Sequence, residues 1–161
     1  MPINKGDKVP SATLMKMGAN GPEPVDTDSL FQGRTVALFA VPGAYTPTCS
    51  ARHLPGFIEK AEEIRGKGVD EIVCISVNDV FVMDAWGKAA GATGKVTMLA
   101  DGNGDFAKAL GLTMDASRFG MGLRSQRFSL IVKDGVVTEV NVEEPGAFNV
   151  SSAEFLVGQL G

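Results

Sequence analysis

The 161-residue chain has the length of one domain, read here as a single unit over residues 1–161, and its 44% apolar content is enough for a sizeable core. A net charge of −4, from 15 basic and 19 acidic residues interspersed along the chain, excludes the basic footprint of a nucleic-acid binder, and no run approaches the ~18 apolar residues of a membrane span. The first residues, Met1 to Asp7, contain no apolar leader, so a cytoplasmic location is expected, where Cys49 and Cys74 are thiols rather than a structural bridge.

Residues 1–34, punctuated by Pro2, Pro10, Pro22 and Pro24, read as an N-terminal arm or hairpin with edge strands. Thr35 to Val41 is a β-rich apolar run and predicts a buried strand, ended by Pro42-Gly43. Leu54, Phe57, Ile58, Ala61 and Ile64 then recur at the spacing of one helix face, and Gly66 and Gly68 stop the pattern. Glu71 to Val77 predicts a second buried strand, followed by a helix over Val80 to Ala90 capped by Asn78 or Asp79. Val96 to Ala100 predicts a strand and Asp105 to Leu110 a short helix. Two strands, Phe128 to Val132 and Val136 to Val142, flank the turn Lys133-Asp134-Gly135, and Ser151 with Glu154 forms a capping box for a last helix to Leu160. Strands and helices first alternate and then give way to a hairpin. The expected fold is α/β and thioredoxin-like, a mixed central sheet with helices on both faces.

The chemistry concentrates in Pro42-Gly43-Ala44-Tyr45-Thr46-Pro47-Thr48-Cys49-Ser50, which joins the C-terminal end of a buried strand to a helix start. Pro47 suits the first helical position and makes Thr46 the N-cap. Cys49 then falls in the first turn, where free N–H groups and the helix dipole favour an anion, and the thiolate is the reactive form of cysteine. As a lone loop cysteine it could also be small apolar filler.

The spacing of Pro42, Thr46 and Cys49 resembles the Pro-x-x-x-Thr-x-x-Cys motif of peroxiredoxins, and the whole string resembles their five-type subfamily, which includes the plant type II enzymes. His53-Leu54-Pro55-Gly56-Phe57, Ser76-Val77-Asn78-Asp79, Ala85-Trp86-Gly87, Leu99-Ala100-Asp101 and Arg124-Ser125-Gln126-Arg127-Phe128 extend the resemblance along nearly the whole chain. Tyr45 departs from it, since the subfamily has Phe there. The resemblance implies a peroxidase in which Cys49 attacks a hydroperoxide and becomes a sulfenic acid. Thr46 would bond the thiolate and the peroxide, Pro42 would shield the site, and Arg124 would support the thiolate and the departing oxygen. Arg118 and Arg127 are expected in solvent. His53, four residues beyond Cys49, shares its helix face and is expected to tune the electrostatics rather than act as a base. A homodimer is also implied, with Phe81, Phe119, Met121 and Leu123 as candidate interface residues.

The resemblance implies an external reductant, glutathione with glutaredoxin or else thioredoxin. Residues 149–152, where some relatives carry a resolving cysteine, hold no sulfur. Cys74, in the apolar run Ile72-Val73-Cys74-Ile75, occupies the position of the second cysteine of plant type II relatives, yet its apolar surroundings suit core filler. It stands only as a possible resolving residue. A single histidine and no Cys/His cluster argue against zinc, and no cofactor is expected. Two other readings stay open at the level of sequence: a non-enzymatic redox relay or holdase using Cys49, and a cysteine hydrolase using Cys49 with His53.

Overall fold

The structure is a computed structural model that describes residues 2–161. Strands β1 (Thr13–Gly18) and β2 (Gly21–Asp26) form the N-terminal hairpin, and a short helix α1 (Thr27–Phe31) leads to β3 (Thr35–Val41). A π-helical turn, Cys49–His53, opens the next helical stretch and passes into α2 (Leu54–Glu59) and α3 (Ala61–Gly66). Then come β4 (Glu71–Ser76), α4 (Val80–Ala90), β5 (Thr97–Ala100) and α5 (Asp105–Leu110). A small hairpin, β6 (Thr113–Asp115) with β7 (Leu123–Ser125), precedes β8 (Phe128–Lys133), β9 (Val136–Val142) and α6 (Ala153–Leu160).

Seven strands form one mixed sheet in the order β2-β1-β5-β4-β3-β8-β9. The central β3–β4 and β4–β5 pairs are parallel, and β8 runs antiparallel beside β3. Both faces are covered, which is why β3 reads as a continuous apolar run. Its residues divide with the period of a strand. Ala37, Phe39 and Val41 join Leu54, Phe57 and Trp86 in one core, while Val36, Leu38 and Ala40 join Phe31, Phe106 and Leu110 in the other.

Asp79 caps α4 by accepting from the Val82 N–H at 2.8 Å. The buried Asp101 carboxylate accepts from the N–H groups of Phe106 and Ala107 at the start of α5. Asp134 and Gly135 both take positive φ, 48° and 78°, and build the tight turn between β8 and β9.

Four local expectations change. The helix face from Leu54 to Ile64 is interrupted at Lys60, although Lys60 N–H still bonds the Gly56 carbonyl and Ile64 N–H the Lys60 carbonyl. The last helix is capped by Ser152, which accepts from Phe155 N–H, because Ser151 one residue earlier is bonded to Glu143 instead. Helix α1, with five residues, and the β6–β7 hairpin, with three residues per strand, are too short for their periodicity to show in the sequence.

Candidate active site

Strand β3 delivers the chain to the sheet edge at Val41, and residues 42–46 turn it into the helix. The turn is demanding: Tyr45 has φ 65°, a left-handed conformation rare for a residue with a side chain. Asn78 secures it by accepting from Ala44 N–H at 2.9 Å. The helix starts at Pro47, and the Thr46 carbonyl accepts the first α-type bond from Ser50 N–H, so Thr46 stands at the N-cap position. Its hydroxyl does not cap the helix. It donates to the Gly43 carbonyl at 2.7 Å, which leaves its oxygen lone pairs free to accept.

Cys49 begins the π-helical turn, closed by Leu54 N–H bonding the Cys49 carbonyl. Cys49 and His53 are both fully buried on the same face of this turn. Trp86, whose indole N–H donates to Ser50 Oγ at 3.0 Å, ties the turn to α4.

The guanidinium at the sulfur belongs to Arg127, not to Arg124. Arg127 Nη2 donates to Cys49 Sγ at 2.9 Å, and its Nη1 reaches His53 Nδ1 at 2.8 Å. Arg124 instead holds the active-site loop, donating from Nε to the Met121 carbonyl at 3.0 Å and from Nη1 to the Pro42 carbonyl at 3.4 Å. Arg124 lies in β7 of the small second sheet, whereas Arg127 immediately precedes β8, the direct neighbour of β3. The expectation that Arg127 is solvated is therefore overturned, whereas Arg118 is exposed as expected.

The histidine is fixed by its partners. A guanidinium can only donate, so Nδ1 must be bare and Nε2 must carry the proton. Nε2 then donates to the Ser151 carbonyl at 2.9 Å. Burial and the Arg127 charge push the imidazole down to about 3 from an ordinary 6.5, so the ring is neutral at any pH near 7. Phe39, Phe57 and Phe148 surround it, with the Phe148 ring edge-on at 5.0 Å between centroids. Both ring nitrogens are occupied and neither contacts the sulfur, so His53 cannot serve as the base of a Cys/His hydrolase pair.

Cys74 pairs with Phe39 across β3 and β4 and lies in the same core as Cys49. It is wholly buried, and burial with the neighbouring Cys49 pushes its thiol well above the ordinary range. Such a thiol is a poor nucleophile.

A cavity of about 400 Å³ opens beside the guanidinium. Pro42, Met114, Pro145 and Ala147 form apolar walls, and Arg127 and Thr48 supply polar ones.

The redoxin family model matches residues 4–156. Peroxiredoxin-2B of Arabidopsis thaliana is 50% identical over 160 residues, covering 99% of both chains, and chloroplastic Peroxiredoxin-2E of the same plant is 48% identical over 98% of this chain and 69% of its own. Reduced Prx3 of Vibrio vulnificus in complex with H2O2 superposes with a TM-score of 0.96 at 51% identity, over 99% of each chain. The chain belongs to the redoxin family as a peroxiredoxin, a thiol-dependent peroxidase with a thioredoxin-like fold.

Proposed function

We propose that Cys49 is the peroxidatic cysteine, that Thr46 and Arg127 are the catalytic groups beside it, and that Pro42 walls the site. The observation that carries this reading is the contact from Arg127 Nη2 to Cys49 Sγ at 2.9 Å in a buried site. A cation at hydrogen-bond distance favours the thiolate. The thiolate attacks the distal peroxide oxygen, the O–O bond breaks, and the sulfur becomes a sulfenic acid while the proximal oxygen leaves as alkoxide or hydroxide and takes a proton. Negative charge spreads from sulfur to the departing oxygen, and the guanidinium and the helix-start N–H groups are already in place to hold it. The Thr46 oxygen can accept the peroxide hydrogen, because its own proton is committed to Gly43. The apolar walls of the cavity suit an organic hydroperoxide as well as hydrogen peroxide.

An external thiol, glutathione with glutaredoxin or else thioredoxin, then reduces the sulfenic acid. It condenses with Cys49 to a mixed disulfide and water, and a second thiol releases the reduced enzyme. The cytoplasm, a thiol-reducing compartment, suits two unpaired buried cysteines. Among the described residues, no helix is long and apolar enough to cross a membrane. A homodimer accounts for Phe81 and Phe119, exposed at 63% and 71%, and for Leu123, while Met121 is half-buried beside Gly43.

The experiment that tests the site is peroxide oxidation followed by stopped flow. Cys49→Ser abolishes turnover with the fold intact. Arg127→Met slows oxidation by about 100-fold or more, the scale of losing one charge-stabilising donor. Arg124→Met slows it far less, and the reverse ranking would return the role to Arg124. Cys74→Ser leaves turnover with glutathione and glutaredoxin within about twofold of wild type, because a buried strand thiol opens far less readily than a helix end. A loss of turnover in that variant would make Cys74 the resolving residue. Light scattering at working concentration should give twice the chain mass, and a monomer would remove the dimer.

A further inference from the structure

Arg127, His53, Ser151 and Glu143 form a closed ring of hydrogen bonds with one arm leaving it. Arg127 Nη1 donates to His53 Nδ1 at 2.8 Å, and His53 Nε2 donates to the Ser151 carbonyl at 2.9 Å. Ser151 N–H and Oγ donate to Glu143 Oε2 at 2.8 and 2.7 Å, and Asn149 N–H adds a third donor at 2.6 Å. The ring closes through the backbone, where Glu143 N–H donates to the Arg127 carbonyl at 3.0 Å. The arm that leaves it is Arg127 Nη2, which ends on the Cys49 sulfur.

Glu143 directly follows β9 and is buried at 7% exposure. A carboxylate is seldom buried without a cation partner. Here three donors from residues 149–151 converge on one of its oxygens, so the charge has a stated task, fixing the segment that leads into α6. Burial opposes the charge, but these hydrogen bonds outweigh it and hold the carboxyl below its usual range. The Ser151 carbonyl is thereby aimed at His53. That carbonyl accepts the Nε2 proton and so leaves Nδ1 bare, the only state of the ring that can accept from a guanidinium.

We propose that Glu143 is a positioning residue of the peroxidase reaction: by holding Ser151 it fixes the His53 tautomer, and through it the aim of Arg127 at the Cys49 sulfur. This rests on the reading that Arg127 acts on Cys49. Losing the carboxylate frees the Ser151 carbonyl and lets the imidazole rotate or move its proton to Nδ1, which then can no longer accept from Arg127. Arg127 and Glu143 are the charged groups that act on the ring.

The test is the rate of peroxide oxidation of the reduced full chain, read together with the nitrogen-15 shifts of His53. Glu143→Ala should slow oxidation about tenfold, the scale of one charge-assisted hydrogen bond. The nitrogen-15 shifts of His53 should then show a ring protonated on Nδ1 in Glu143→Ala, a form that wild type lacks. Glu143→Gln, which keeps an accepting oxygen, should recover most of the rate. Should Glu143→Ala fail to fold, Ser151→Ala removes one of the three bonds and should still slow oxidation about two- to threefold. Wild-type rates and a wild-type His53 tautomer in the folded variants, with Arg127→Met slow, would overturn the role of Glu143 alone. Wild-type behaviour of Arg127→Met as well would overturn the reading of the site itself.

Discussion

A guanidinium has to face a buried sulfur without being drawn away to a carboxylate or to water, and the site depends on how Arg127 meets that constraint. A neutral imidazole solves it. His53 accepts from one arm of the guanidinium and leaves the other for Cys49. A carboxylate in the same place would compete with the sulfur for the positive charge, whereas a neutral acceptor orients the cation and leaves its field for the thiolate. Keeping the ring neutral costs stability in acid. The unfolded chain takes up a proton near pH 6.5 that the folded chain refuses until about pH 3, so this group makes the fold less stable as pH falls through that window, by at most about 5 kcal/mol.

The sheet sets the distances. Ala40 of β3 stands opposite Phe128 of β8, and Phe128 stands opposite Val142 of β9. The loop after β3, Arg127 before β8 and Glu143 after β9 are therefore brought to one edge by strand register alone. The π-helical turn then keeps Cys49 and His53 on the face that meets Arg127. Strand pairing and one widened turn assemble Cys49, His53, Arg127 and Glu143, and His53 then meets Ser151 98 positions further along the chain.

What was legible in the sequence was what is local. Pro47 and Thr46 mark a helix start, and a cysteine three residues past the N-cap is visible without any tertiary contact. The strands β3, β4, β8 and β9 and the Asp134-Gly135 turn also lie close to where their composition puts them. The choice between Arg124 and Arg127 was not legible, because they lie three positions apart in one short segment, Arg124-Ser125-Gln126-Arg127-Phe128, just ahead of the expected strand. The chain in fact leaves one sheet after Ser125 and enters another at Phe128, and only the register of β8 against β3 decides which guanidinium meets a sulfur 78 positions earlier. Glu143 was missed for the same reason. It looks like one of two surface glutamates before Pro145, and only the return of residues 149–151 onto its carboxylate reveals it. The Ser151 capping box failed because that serine had a stronger long-range partner than the helix it precedes.

His53 is the only histidine in the chain, so its ring nitrogens can be followed without assignment ambiguity in protein labelled with nitrogen-15. The most direct measurement is their chemical shift in the reduced enzyme from pH 8 to pH 5. A neutral ring with the proton on Nε2 should persist across the whole range, with no titration. A midpoint near 6.5, or a proton on Nδ1, would mean that His53 does not accept from Arg127, and the guanidinium would then have nothing to aim it at Cys49.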